Sequence, residues 1–310
     1  MGSSINTNIA AMTALQSLNQ TNKEMLVTQN RVSTGYRVAD ASDNAAYWSI
    51  ATTMRGDRSA LSTVADALGL GSATAEIAAK GIESAIEIAG KIKDKLVAAR
   101  TPGVDRSKIQ SEIKELQDSL KSVIDGASFN GQNWLKSDSD DPTSTRTIVS
   151  SFSRAADGTI SIGTITVDLD KTRLVDSTTG TAAGLLDTAT ALPNATATDY
   201  TVLDLDIGSL TDSDDDLEDL EAMLSTVDAA ILSMTDAATS LGAIKTRIDI
   251  QKDFAQSLMD AIDTGVGQLV DADMNAESTR LQALQVRQQL GIQALGIANQ
   301  SAQMILRLFQ

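Results

Sequence analysis

Between Leu217 and Ile262 the chain places residues of one kind at alternate steps of three and four. They are Leu217, Leu220, Leu224, Val227, Ile231, Met234, Ala238, Leu241, Lys245, Ile248, Lys252, Ala255, Met259 and Ile262. All but the two lysines are apolar. A stripe kept over more than three heptads predicts a helix lying in a coiled-coil seam. At about 1.5 Å per residue that helix runs for roughly 70 Å, so it needs a partner of similar length. A second heptad series supplies one: Tyr47, Met54, Leu61, Leu68, Ala75, Ile82, Ala89 and Leu96, with Ile50, Asp57, Val64, Gly71, Ala78, Ala85, Ile92 and Ala99 beside it. Pro102-Gly103 ends this second helix. A shorter one, opening on a capping box of Ser107 and Gln110, carries Ile109, Ile113, Leu116, Leu120 and Val123 on one face.

The two ends of the chain carry narrower stripes. Residues 1–34 show Ala11, Leu15, Leu18, Asn22, Met25, Gln29 and Val32 on one side, an apolar line interrupted by amides. Residues 35–44 break the period and finish on the N-cap candidates Ser42, Asp43 and Asn44. At the other end the seam stops at Gly265 and Gly267, and a last helix starts near Asp273. Its apolar residues fall on two faces, one through Leu281, Leu284, Ile292, Leu295, Ala302 and Phe309, the other through Val286, Leu290, Ile297, Met304 and Leu308. A helix apolar on two sides must be covered on both. Residues 1–34 alone cannot do that, so the surplus predicts association between copies. A contact not shared symmetrically between two copies propagates into a helical filament. Alone, the arms over residues 5–32 and 275–308 bury too little apolar area to offset the entropy of ordering, which predicts disorder until assembly.

Between the long helices, residues 137–211 change character: threonine-rich, poor in basic residues, and holding Pro142 and Pro193. Ile148 to Phe152, the Asp157-Gly158 turn and Thr159 to Leu169 predict a β-hairpin with a bulge near Gly163. Leu203, Leu205 and Ile207 predict a further strand by their alternation. The expected architecture is therefore mainly α: a long antiparallel coiled-coil or helical bundle formed by the N- and C-terminal segments, with a small β-rich central insert. Its expected parts are residues 1–34, a connector at 35–44, a bundle portion at 45–136, the insert at 137–211, a bundle helix at 212–264, a connector at 265–272 and a terminal helix at 273–310.

Composition narrows the chemistry. The 310 residues include no cysteine and no histidine, which removes disulfides, thiolate nucleophiles, imidazole bases and most zinc sites. The net charge of -16 disfavours nucleic acid and anionic membrane surfaces. An enzyme would have to use carboxylates, a Ser or Thr nucleophile or a bound metal, and the only dense acid clusters are Asp138, Asp140 and Asp141, and Asp214 to Asp216. The first reads as a solvated loop, and neither has a companion base. Asp212 to Asp219 reads as a helix start, where carboxylates meet the positive end of the dipole; as a calcium loop it lacks the required Gly and Glu, with Leu217 and Met223 in their places. Asn194-Ala195-Thr196 fits a glycosylation triplet, a pattern short enough to arise by chance. No secretory signal pattern opens the chain and no apolar run is long enough to span a bilayer, which by itself predicts a cytosolic protein. A dimeric signalling rod would leave the matched adhesive ends unexplained.

Five short motifs then stand in order along the chain: Asn6-Thr7-Asn8, Arg31-Val32-Ser33-Thr34-Gly35, Ala41-Ser42-Asp43-Asn44-Ala45-Ala46, Ser128-Phe129-Asn130-Gly131, and Ala298-Asn299-Gln300 before Met304-Ile305-Leu306. Together, over roughly residues 3–136 and 212–310, they resemble bacterial flagellin. The resemblance implies a secreted structural subunit that polymerises into the extracellular flagellar filament, with no enzymatic activity and no cofactor. It implies export through the flagellar type III channel, which replaces the cytosolic expectation. Leu15, Leu18, Met25, Val32, Leu281, Leu284, Leu290, Leu295, Met304, Ile305 and Phe309 would then serve assembly in an inner coiled coil. Met54, Leu61, Leu68, Leu220, Leu224, Val227, Ile231 and Leu241 would form the bundle seam. Implied partners are further copies, other flagellins, an export chaperone on the C-terminal helix, and hook-associated junction and cap proteins. A hook-filament junction protein is the alternative that shares this plan. In many flagellins an Arg, Val, Arg, Glu run on the long N-terminal helix is read by a toll-like receptor. A gap-free count back from Phe129-Asn130-Gly131 places Ile88, Ala89, Gly90 and Lys91 there, which implies weak or no signalling.

Overall fold

The computed structural model describes residues 8–137, 144–176, 184–194 and 199–308, with side chains as far as Gln300. Asn6, Thr7, Asp138, Asp140, Asp141, Thr196 and Phe309 lie outside the described residues. Among those described there are five α-helices: α1 (Ile9–Thr34), α2 (Ala45–Ala99), α3 (Arg106–Gly126), α4 (Asp214–Val270) and α5 (Met274–Leu308). Short strands occupy the region between α3 and α4, so the fold is mainly α with a small strand-containing insert. The contacts divide the chain into two compact units, one of Met1–Ser59 with Met259–Gln310, the other of Ala60–Leu258.

In the larger unit α2, α3 and α4 share one core. Leu68, Ile82, Ile92 and Leu96 of α2 meet Ile113, Leu120 and Ile124 of α3 and Leu220, Val227, Met234, Leu241 and Ile248 of α4. At about 25 cal/mol per Å² of apolar surface, each such side chain contributes about 1.5–3 kcal/mol toward the backbone entropy lost on ordering. Lys93 pairs with Asp228, Arg100 with Glu221, and Ser72 with Asp249. In each pair the two residue numbers add to the same total, so α2 and α4 run antiparallel in one register. From Leu61 onward both predicted lines of α2 are buried. On α4 the buried line of Leu220, Val227, Met234, Leu241 and Ile248 has Met223, Ala230 and Ala237 as companions. Leu224, Ile231 and Ala238 stand beside them, half-buried against the same core.

Local chemistry decides the helix ends. α3 is capped by Asp105, whose carboxylate accepts from the Lys108 amide, so it begins earlier than the Ser107 capping box suggests. Its first residue, Arg106, is buried and donates to the carbonyls of Ala99 and Leu210 and to Asp212 at 2.7 Å. At the start of α4 Asp214, Asp215 and Asp216 occupy the first turn, and Asp216 reaches back to the Thr211 amide. The Asn194 amide group is already engaged there, donating to Asp215 O and to Glu218. α4 runs on through Gly265 and Gly267 to Val270, beyond the break that the glycines suggest. Burial of Val266 and Val270 against Val38 and Ala51 outweighs the poor helix propensity of glycine.

Among its described residues the insert has three small sheets. Strands β1 (Ser128–Phe129) and β2 (Gln132–Asn133) are antiparallel, joined by Asn130 and Gly131 at positive φ of 49° and 76°. Two successive left-handed residues give the tight turn that matches strand twist. β3 (Lys136–Ser137) pairs in parallel with β6 (Val175–Asp176). β4 (Thr145–Arg154) and β5 (Ile160–Asp168) form the predicted hairpin. Its bulge lies at the predicted level but on the opposite strand, since Val149 pairs with Thr164 and Ser151 with Gly163, leaving Ser150 as the extra residue. Leu203, Leu205 and Ile207 are buried but form no strand. Glutamine side chains of α3 take the place of a neighbouring strand: Gln117 donates to Val202 O and Leu205 O, while Gln110 donates to Leu205 O and accepts from the Ile207 amide.

Candidate assembly surface

The smaller unit is built on α1 and α5. Asn8 caps α1 by accepting from the Ala11 amide at 3.0 Å, and Gly35 closes it in the left-handed conformation, its amide bonded to Arg31 O. Beyond Gly35 the chain pairs with the end of α4 and the residues just after it: the Arg37 and Val38 amides donate to Val270 O, and the Ala272 amide donates to Gly35 O. Asp43 accepts from the amides of Ala39 and Asp40, and Asn44 caps α2 by accepting from the amides of Ala46 and Tyr47. Asp273 does the same for α5, accepting from the amides of Asn275 and Ala276. The motifs around Gly35 and Asn44 are thus mostly capping and turn chemistry, which holds the two ends of the unit together.

Three polar contacts tie α1 to α5. Asn8 donates to Ala298 O at 2.9 Å, Gln288 donates to Asn22 at 2.8 Å, and Arg31 pairs with Glu277 at 3.1 Å. The order along the two helices is reversed, so the pair is antiparallel. Its inner stripe is narrow and made largely of small or amide-bearing side chains: Ala11, Ala14, Leu18, Thr21, Asn22, Met25 and Val32 of α1 against Leu281, Leu284, Gln288, Gly291, Leu295 and Ala298 of α5. Thr28 and Glu277 are buried within it, although neither belongs to an apolar pattern. The one signal for Glu277 in the sequence is the mirrored placement of Arg31 at the far end of α1.

Outside that stripe large apolar residues stand open to water. On α1 they are Ile9, Met12, Leu15, Leu26 and Val27; on α5 they are Val286, Leu290, Ile292 and Ile297. Ile9 is 69% exposed and Ile297 68%, and several such residues together on two paired helices mark a contact surface. Of the residues expected to serve assembly, Leu18, Met25, Val32, Leu281 and Leu295 are half-buried and Leu284 is buried. Leu15 and Leu290 belong to the open faces. Met304 and Ile305 fall within α5, but their side chains, like Phe309, are outside the described region. Of the seam residues, Leu61, Leu68, Leu220, Val227 and Leu241 are buried, and Leu224, Ile231 and Met54 are half-buried. The sequence pattern gave α1 a single stripe; its second face, through Ile9, Met12, Leu26 and Val27, is hidden by the amides between those residues.

Among the described residues there is no cluster of acidic side chains able to hold a metal ion, and no helix is long and apolar enough to cross a membrane. Paired end helices with unspent apolar faces, joined to a well-packed bundle, define a self-associating structural subunit. Comparison with known proteins carries this further. Residues 5–140 match the bacterial flagellin N-terminal helical region and residues 224–309 the bacterial flagellin C-terminal helical region. The chain is 48% identical to flagellin C of Rhizobium meliloti strain 1021 over 99% of each chain. It is 43% identical to a flagellin of Brucella melitensis over 99% of each, and 40% identical to flagellin B of Rhizobium meliloti over 99% of this chain and 100% of that one. The chain belongs to the bacterial flagellin family and is a structural subunit of the extracellular flagellar filament.

Proposed function

We propose that α1 and α5 drive polymerisation through their open apolar faces, and that residues 1–34 and 273–310 form the innermost layer of the filament. In this reading residues 45–136 and 212–264 form the surrounding bundle layer, residues 35–44 and 265–272 connect the two, and residues 137–211 face outward. The observation that carries it is the exposure of Ile9, Met12, Leu26, Val286, Leu290, Ile292 and Ile297 on two helices that already pair with each other. Covering such a side chain contributes about 1.5–3 kcal/mol, and several per subunit are enough to drive a helical contact. Electron microscopy of seeded, purified protein tests it. Full-length chains form filaments, and chains trimmed of residues 1–34 and 273–310 stay monomeric; filaments from the trimmed chain would end the proposal.

The same faces suit an export chaperone that covers α5 before assembly, and junction and cap proteins that continue the helical contacts at either end. No catalytic step is needed. The acidic run at the start of α4 is taken up in capping, and the chain's net charge of -16 suits neither nucleic acid nor an anionic membrane. Receptor recognition through the long N-terminal helix is also unsupported by its side chains. Ile88 and Ala89 are buried, and Lys91 is tied to Glu87 on the same helix.

A further inference from the structure

The inner stripe of the α1–α5 pair repeats with a strict alternation of three and four. On α1 it passes through Ala11, Ala14, Leu18, Thr21, Met25 and Thr28, and on α5 the same spacing runs from Glu277 to Ala298. A regular heptad stripe is nearly blind to a slip of seven residues, because each apolar layer meets another. Beyond the Arg31–Glu277 ion pair and the Asn8–Ala298 contact near the two ends, two central features break that degeneracy. In the middle of the pair the half-buried amides of Asn22 and Gln288 bond each other at 2.8 Å. Close by, Leu18 lies over Gly291, where a Cβ would sit 3.3 Å from the leucine Cδ1.

We propose that the Asn22–Gln288 amide pair, with the Leu18–Gly291 notch, sets the register of the α1–α5 coiled coil and so selects one of several heptad-related alignments as subunits assemble. A slip of one heptad in either direction carries Asn22 to the level of Leu281 or Leu295. In one slip Gln288 then faces Leu15 and in the other Gln29, while Asn22 faces leucine in both, so each slip leaves at least the Asn22 amide without its partner, a loss that disfavours the alternative. The same slip takes Leu18 off the glycine and onto Leu284 or Ala298, so steric fit and hydrogen bonding favour the same alignment. A half-buried amide pair of this kind contributes little to stability and more to uniqueness. This inference rests on the proposal that α1 and α5 lie together in the filament, and the test separates the two.

The chain has no cysteine, so a single introduced pair reports register directly. Ala14→Cys with Leu295→Cys reads the observed alignment, while Ala14→Cys with Ala302→Cys and Thr21→Cys with Leu281→Cys read a slip in each direction. In otherwise unaltered full-length filaments, oxidation closes the first pair alone. Closure of none of the three would overturn the pairing of α1 with α5 itself. Introducing Asn22→Leu together with Gln288→Leu lowers the ratio of observed to slipped cross-links at least about tenfold. Exchanging the amides, Asn22→Gln with Gln288→Asn, restores assembly and the first cross-link. An undiminished ratio in the leucine variant overturns the inference. So does failure of the exchanged variant to assemble in the original register, which also covers the case in which the leucine variant forms no filament.

Discussion

Two glycines of α2 show how single residues seat the insert on the bundle. A Cβ on Gly71 would lie 2.7 Å from Ile148 Cδ1, and one on Gly81 would lie 2.6 Å from Leu135 Cδ1 and 2.9 Å from Ala127 Cβ. The heptad pattern treats Gly71 as one more seam position and passes over Gly81. Neither is explained by the α2–α4 contact, because what fills each notch is a residue far along the chain that periodicity does not reveal. Alanine is favoured over glycine in a helix interior by about 1 kcal/mol, whereas overpacking a core costs about 1–3 kcal/mol. At Gly81 the obstacle includes Ala127 Cβ, fixed to the backbone, so the steric cost wins. At Gly71 it is the flexible end of Ile148, which gives more easily. Gly69 faces open space. In urea unfolding of the monomer, Gly81→Ala therefore lowers the midpoint by the equivalent of about 1–2 kcal/mol. Gly71→Ala lowers it less, and Gly69→Ala raises it by up to about 1 kcal/mol. A rise for Gly81→Ala would mean that the Leu135 turn yields freely.

At the scale of the element, α4 carries the pH dependence. The Asp249 carboxylate is held below the usual carboxylate range first by the hydrogen bond from Lys245 and then by that from Ser72 of α2. Asp216, at the start of the helix, is held low by the hydroxyl and amide of Thr211. A group whose folded pKa is depressed contributes stability that is complete above its ordinary range and is lost as pH falls through the folded value. Lys245 is raised by Asp249 and stays charged throughout that window. The urea midpoint is therefore flat near neutrality with respect to these groups and falls on acidification. Asp249→Asn and Asp216→Asn each lower it at neutral pH by less than about 1 kcal/mol, because both carboxylates are open to water, and each reduces the acid slope. An unchanged slope in both variants would assign the acid response to other groups. The helices themselves were legible because a 3.6-residue period is a local property, and from Leu61 to Ala99 the pattern and the burial coincide. The elements that depart from the pattern are those whose partners are remote. Leu203 to Ile207 alternates like a strand, yet its backbone is taken by Gln110 and Gln117; β3 finds β6 across almost forty residues. The end of α4 is settled by Val38 and Ala51, which nothing near Gly265 announces.

For the molecule as a whole, the two units differ in what they bury. The unit of Ala60–Leu258 encloses leucine, isoleucine and methionine from three helices and the insert. The α1–α5 pair of the other unit encloses alanine, threonine, glycine and amides among a few half-buried leucines, Met25 and Val32, and leaves many of its large side chains outside. Ordering a residue costs about 1–2 kcal/mol of backbone entropy, and small side chains return little of it. Helix formation is itself cooperative, so a long helix without sufficient burial melts over its length rather than at its tips. Isolated subunits should therefore hold α2, α3 and α4 while α1 and α5 open, and polymerisation should supply the missing burial from neighbouring copies. Hydrogen exchange measures both states. In monomer, amides over 68–96 and 220–248 are slow while those over 9–32 and 275–300 exchange nearly freely; in filaments the second set slows by at least about 100-fold. Protection of the terminal helices in the monomer would mean that the narrow inner stripe suffices to hold them. Their exposed leucines and isoleucines would then be a preformed docking face, and assembly would proceed without the folding step that otherwise accompanies it.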